Sequence, residues 1–254
     1  MVLIFISRML ADKGRISLGS PPVVVVTPLK PDGHSKEYIE DIKDNRIEYA
    51  KKHGEGTPSG LNHWIYMLTD IGYATFFPVT TEYELDGAPL PWAKIPAMRH
   101  ALTKFPQGTY FWFLEQDALI MNPTFTIESH IMDPQRMEEL MIKDQPVVLP
   151  ESVIKTFSHL RGGQIDFVLT QDKDGLAPSS FVLRRGEWAK FFLDTWFDPL
   201  YRGYNFQRAE THALVRIYLL PQELSLKFLG THCSVASYHS FEIGFGAPKG
   251  YERL

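Results

Sequence analysis

A single cysteine, Cys233, stands among 254 residues, so no disulfide can form within the chain. That suits a reducing compartment and leaves a secretory one open, because a domain of this size rarely needs covalent staples. Excess charge of either sign is also missing. The formal net charge is −4, which argues against a nucleic-acid binder that works by neutralising many phosphates. An anionic ligand would need a local remedy, either a metal ion or a few placed basic residues. Long apolar runs are absent as well. Met1 to Leu10 is apolar but broken by Arg8, short of the roughly 20 residues of a membrane span. No small-residue cleavage site follows it, so the sequence reads as a soluble chain. It shows no internal repeat and no low-complexity tract.

What is present suits a globular enzyme: 44% hydrophobic and 22% charged residues, with length enough for a real core. Val23-Val24-Val25-Val26-Thr27, bounded by Pro22 and Pro28, reads as a buried parallel strand. From Ser35 to His53 apolar residues recur at helical spacing amid charge. Tyr73 to Val79 suits a second strand, and Trp92 to Phe105 a helix with Pro96 near its first turn. Thr109 to Leu114 is strongly strand-like; Gln145 to Leu149 and Gln164 to Thr170 are shorter strand candidates. Glu187 to Trp196 and Arg208 to Leu220 read as helices. Strands alternating with helices predict an α/β sheet.

Glu115 and Asp117 follow the Thr109–Leu114 strand. In an extended segment, residues two apart point to the same side. They stand at the carboxyl end of a buried strand, where open α/β sheets place their ligands. Two hard oxygen ligands suit magnesium or manganese bound through few carboxylates plus substrate phosphates. On spacing alone, the same pair also reads as two acids marking a solvated strand end.

The surrounding segment, Tyr110-Phe111-Trp112-Phe113-Leu114-Glu115-Gln116-Asp117-Ala118-Leu119-Ile120-Met121-Asn122-Pro123, resembles the acidic motif of glycosyltransferase family 34. That family holds fungal Golgi α-1,6-mannosyltransferases and α-1,2-galactosyltransferases, with plant xyloglucan xylosyltransferases as relatives. Three further blocks resemble it in order and spacing: Asn45 to Gly54, Trp92 to Arg99, and Thr170 to Leu214. The resemblance implies a GT-A-type fold, a Rossmann-like mixed sheet flanked by helices. It would form one domain over residues 21–254 after a lead-in of residues 1–20.

It also implies retaining, manganese-dependent hexosyl transfer, with magnesium as an alternative metal. The donor would be GDP-mannose or UDP-galactose and the acceptor a mannan or N-glycan. The setting would be the lumenal side of the Golgi membrane, in complex with other Golgi glycosyltransferases and without nucleic acid. Carried over by motif, Glu115 and Asp117 would coordinate the metal and the donor diphosphate; Glu115 stands where aspartate is usual. Asn45, Arg46 and Tyr49 would lie against the nucleotide, although their pattern equally describes an amphipathic helix with Tyr49 in the core and Arg46 in solvent. Lys94 and Arg99 would complement phosphate charge, or simply sit on a solvated helix face. Glu210 matches an acidic position near the anomeric centre, and Asp172 is a second catalytic candidate. For Asp172 and Asp174 a plain turn, favoured by Gly175, is the other reading.

The sequence departs from the family pattern in three places. Residues 55–72 interrupt the run from His53-Gly54 to the tyrosine-led strand at Tyr73, an insertion read as a retained intron that transcript sequencing tests. Thr211 replaces the usual glutamine after Glu210. Across residues 215–254 the resemblance fades: Pro221-Gln222 remains, but the family's terminal metal-binding histidine has no clear counterpart in His232 or His239. No N-terminal anchor is visible. An active hexosyltransferase is therefore weighed against a catalytically silent nucleotide-sugar-binding remnant and a sugar-binding module with no donor site.

Overall fold

The computed structural model describes residues 22–53, 72–144, 161–172, 175–204, 206, 208–218, 228–230 and 243–244. The candidate strand at 145–149 lies outside the described residues. So do residues 1–20, nearly all of the insertion, Asp174, Pro221-Gln222, His232 and His239.

Among the described residues, six strands form one mixed sheet in the order β2-β1-β3-β6-β5-β7. They are β1 (Val23–Val26), β2 (Ala74–Phe76), β3 (Tyr110–Leu114), β5 (Phe167–Asp172), β6 (Gly175–Arg184) and β7 (Phe228–Gly230). A second, two-stranded sheet pairs β4 (Leu119–Ile120) with β8 (Ile243–Gly244) in antiparallel fashion. β1 runs parallel to both β2 and β3. β6 is antiparallel to β3 and to β5, so β5 points the same way as β3. The mixed sheet flanked by helices that the sequence predicts is the architecture observed.

Seven helices accompany the strands among the described residues: α1 (Lys36–Lys52), α2 (Lys94–Lys104), α3 (Ile127–His130), α4 (Pro134–Leu140), α5 (Glu187–Trp196), α6 (Pro199–Arg202) and α7 (Ala209–Tyr218). The strands alternate their side chains between two apolar layers. Val24, Val26, Phe111, Phe113, Phe181 and Leu183 face α2, α5 and α7. Val23, Val25, Trp112, Leu114 and Val182 pack with Tyr49 and Ala50 of α1, Ile127 of α3 and Met137 of α4. Because both faces of the central strands are covered, β1 can be valine throughout rather than alternating with polar residues.

Local chemistry sets the boundaries. Ser35 caps α1 by accepting from the Tyr38 N–H at 3.1 Å, and His53 closes it. The predicted helix from Trp92 begins later, because Leu90–Ala93 winds as a tighter 3₁₀ turn before α2 starts at Lys94. The predicted Tyr73–Val79 strand is regular only over Ala74–Phe76, with an isolated parallel bridge between Leu29 and Val79 further on. No described helix is long and apolar enough to cross a membrane.

Topology fixes where a ligand can enter. The chain leaves β1 through α1 on one face to reach β2, then returns through α2 on the other face to β3, on the far side of β1. At such a reversal, the connections after β1 and β3 diverge and leave a crevice beyond the strands' carboxyl ends.

Candidate functional site

A cavity of about 370 Å³ occupies that crevice. Its walls come from the segments that leave the three parallel strands: Pro28 and Lys30 after β1, Thr80 after β2, and Glu115-Gln116-Asp117 after β3. His34 and Tyr38 close one side; the Leu90–Lys94 approach to α2 and the ring of Phe113 contribute others. The Lys30 N–H donates to Gln116 Oε1 at 2.6 Å and so joins the β1 and β3 segments across the crevice. Burial raises the Tyr38 hydroxyl above the usual tyrosine pKa, against the lowering effect of its hydrogen bond with Gln116.

The acidic pair reaches the cavity by a route other than the extended strand that its spacing suggests. Glu115 still pairs with the sheet, its N–H donating to Ser179 O at 2.9 Å. The chain then turns, and the Ala118 N–H donates back to Glu115 O at 3.2 Å. Glu115, Gln116 and Asp117 all line the cavity, with Glu115 39% exposed and Asp117 exposed. Both acids open to the same cleft because the turn presents them there.

Arg46 holds that turn from behind. It is fully buried. Its Nη2 donates to the carbonyls of Glu115 (3.0 Å) and Ala118, its Nη1 to Asn45 Oδ1 (3.0 Å), and its Nε to Thr27 Oγ1 (3.4 Å). Burial lowers its pKa to about 10, so it remains charged at neutral pH. Asn45 grips the next strand as a backbone would, accepting from Ile120 N–H at 3.0 Å and donating to Ile120 O at 3.1 Å. Tyr49 is fully buried, donates to Phe125 O at 2.9 Å and packs edge-on against Trp112.

None of these three residues lines the cavity. They stand behind the cavity wall, where Asn45 and Arg46 hold the loop that carries the acids and Tyr49 ties down Phe125 beyond it. Tyr49 lies in the core, as the amphipathic alternative required, but Arg46 is the reverse of solvated.

Lys94 is where the resemblance predicts a phosphate-complementing charge. Only 4% exposed at the first turn of α2, its Nζ lies 3.5 Å from Glu115 Oε1 and 3.5 Å from Glu210 Oε1. It also sits 5.7 Å from the centre of the Phe113 ring. A lysine opposes the dipole at a helix start, and the two glutamates beside its ammonium offset that; no side chain caps the helix. Glu210, 7% exposed, opens α7 behind Lys94, outside the cavity wall. It reaches the site only through that ammonium. Its backbone carbonyl accepts from Trp196 Nε1 at 2.8 Å, which locks α7 to α5.

Arg99 lies elsewhere. Its Nη1 donates to Lys190 O at 2.9 Å and pairs with Asp194, joining α2 to α5 away from the cavity lining. Asp172 ends β5 opposite Gly175, at the turn the sequence suggests and at the same sheet edge as Glu115, but its side chain lies outside the described groups.

The donor set fits a hard divalent cation. Two carboxylates open to the cavity, while the buried Lys94 must already serve both Glu115 and Glu210. Among the described residues no group of three or more His, Cys, Asp or Glu could hold a metal. A cation here would therefore take few protein oxygens and complete its shell with phosphate and water. Sequence reasoning missed Lys30, His34, Tyr38, Thr80 and Gln116 as cavity residues. Position alone could have raised Lys30 and Gln116, since both lie within four residues of strand ends at the edge where ligands bind.

Comparison with known proteins shows what the chain is similar to. An uncharacterised alpha-1,2-galactosyltransferase of Schizosaccharomyces pombe is 29% identical over 231 residues, covering 88% of this chain and 55% of that protein. The probable alpha-1,6-mannosyltransferase MNN11 of Saccharomyces cerevisiae is 30% identical over 207 residues, covering 80% and 46%. The chain thus spans about half the length of these curated relatives. A solved glycosyltransferase involved in the glycosylation of the major capsid of PBCV-1 superposes with a TM-score of 0.48 at 14% identity, over 80% of this chain and 77% of that one. The model of the galactosyl transferase GMA12/MNN10 family matches residues 19–244, a span that takes in every element of the cavity, and this chain belongs to that family.

Proposed function

We propose that the chain is a retaining, divalent-metal-dependent hexosyltransferase that moves mannose or galactose from a nucleotide sugar to a mannan or N-glycan. The observation that carries this reading is the acidic turn: Glu115 and Asp117 open into one cleft at the β1/β3 reversal, beside the buried ammonium of Lys94. Glu115 and Asp117 would hold manganese or magnesium, which when bound stabilises a diphosphate as leaving group. Lys94 complements the same negative charge from the start of α2. Glu210 fixes the ammonium in place, and Arg46 with Asn45 fixes the turn. The protein's contribution is chiefly positioning and charge complementarity set before the donor arrives. Asp172, at the carboxyl end of β5 and the same sheet edge as Glu115, would support the reacting sugar from that side.

Incubation with manganese and either UDP-galactose or GDP-mannose tests this directly, with donor hydrolysis and transfer to mannobiose as readouts. Turnover supports the proposal. Manganese-dependent nucleotide binding without turnover favours a silent remnant, a reading supported by the two-carboxylate metal set and by Thr211. No nucleotide binding at all refutes both. The Golgi lumen and a complex with other Golgi glycosyltransferases belong to the same proposal; co-localisation of the tagged full-length protein with a Golgi marker tests the location.

A further inference from the structure

One polar atom in the cavity wall has nothing to bond. Thr80 is 7% exposed, lines the cavity, and its buried Oγ1 has no hydrogen-bond partner. A threonine at this place has an obvious local use. Thr80 is the first residue of a 3₁₀ turn (Thr80–Glu82) that Val79 precedes as cap, and a hydroxyl there can bond nearby backbone groups. Here no side chain caps the turn, and Thr80 is tied down by its backbone alone, N–H to Leu29 O at 2.9 Å. An unpaired buried hydroxyl is unfavourable, so the molecule carries a cost that a bound ligand could remove.

Sheet order says which part of a ligand would do so. Thr80 follows β2 and the acids follow β3, with β1 between them. Two strand spacings separate the two positions, roughly 10 Å across the cavity. The β3 side carries Glu115, Asp117 and Lys94; Pro28, Leu90, Pro91 and Ala93 supply wall with no polar side chain. A nucleoside diphosphate has the matching asymmetry: a charged diphosphate at one end, and at the other a flat base and ribose whose polar edges are neutral.

We propose that Thr80 is a donor-binding residue whose hydroxyl hydrogen-bonds the nucleoside half, base edge or ribose, of a nucleoside diphosphate held at the acidic turn by its phosphates. The assignment rests on the donor-site reading above and adds the residue that reads the neutral end. The hydroxyl is buried in the free protein, so a ligand would meet it through rotation about χ1.

Thr80→Val keeps the shape and deletes the hydroxyl. Because that hydroxyl has no partner in the free protein, the urea midpoint should stay the same or rise. Calorimetric titration in manganese then compares UDP, GDP and inorganic pyrophosphate. We expect the better-binding nucleotide to weaken roughly tenfold, as loss of one hydrogen bond implies, with pyrophosphate unchanged and Thr80→Ser retaining parental affinity. Unchanged nucleotide affinity in Thr80→Val overturns the proposal, and so does an equal loss for pyrophosphate, which would place the effect on the phosphate end. If the parent protein binds pyrophosphate but neither nucleotide, the Thr80 assignment fails while the acidic turn stands; if it binds none of the three, the donor-site reading fails too.

Discussion

Arg46 provides the sharpest separation between two roles that the sequence could not distinguish. Replacing it by alanine strips the carbonyls of Glu115 and Ala118, the side chain of Asn45 and the hydroxyl of Thr27 of a donor in one step. Glu115 O keeps the Ala118 N–H and Asn45 Oδ1 keeps the Ile120 N–H, whereas Ala118 O and Thr27 Oγ1 lose this donor at about 1–3 kcal/mol each. With the cavity left by a fully buried side chain, the total is about 3–5 kcal/mol. Against a whole-domain stability of about 5–15 kcal/mol, the variant should still fold. Urea unfolding followed by circular dichroism reads the effect: with a slope of about 2–3 kcal/mol per molar, the midpoint should fall by roughly 1–2.5 M. Arg46→Lys should lie in between, because an ammonium keeps the charge but cannot span four acceptors in the fixed plane of a guanidinium. A loss of under about 0.5 kcal/mol in Arg46→Ala, typical of surface changes, would refute the bracing role. Paired with a collapse of nucleotide affinity, it would restore Arg46 as a ligand contact.

Other perturbations follow from the same geometry. Lys94→Met leaves Glu210 buried without its ammonium and should destabilise by about 3–5 kcal/mol in urea titrations; stability equal to the parent would mean that the Lys94–Glu210 pair is not formed. Arg99→Ala removes a pair that is 40% and 63% exposed, so the loss should be under about 1 kcal/mol with nucleotide binding unaffected; a large binding defect would contradict its placement between α2 and α5. Burial lowers the pKa of His53 and of His130. The unfolded chain therefore takes up these protons first, so their contribution is present above about pH 6.5 and is lost as pH falls below it. The paired variant His53→Gln with His130→Gln should show a shallower decline in stability between pH 7.5 and pH 5.5; an unchanged slope would refute that linkage.

Much of the sheet was legible because its signals are local. The valine run, the aromatic run at Tyr110–Leu114 and the Ser35 and His53 limits of α1 each follow from residues adjacent in sequence. β6 was not legible as a strand. Gly175 and Pro178 argue against one, yet Pro178 sits where the register with β5 shifts between Leu169 and Thr170, so its missing N–H leaves no ladder bond unmade. α4 did carry a signal, Asp133 capping a helix with Pro134 at its first position, but the short helix has too little apolar periodicity to stand out.

The site divides in the same way. Glu115, Asp117 and Lys94 were readable because strand ends and helix starts are where such chemistry collects. The burial of Arg46 was not legible because its bonding partners lie 69 and 72 residues away, and nothing in its own helix reveals that a turn will fold down over it. Thr80 was invisible for a related reason: an unsatisfied hydroxyl is a property of the packed wall, not of the residue type.

The account stands or falls on whether the two acids of the turn hold a cation that holds a diphosphate. Manganese-dependent binding of UDP and GDP to the parent protein and to Glu115→Ala/Asp117→Ala, by calorimetry with and without a chelator, measures this most directly. The account predicts metal-dependent binding of at least one nucleotide by the parent and none by the variant, with the variant's far-ultraviolet circular dichroism unchanged. Equal affinity in both proteins, or parental binding that persists in the chelator, would contradict it.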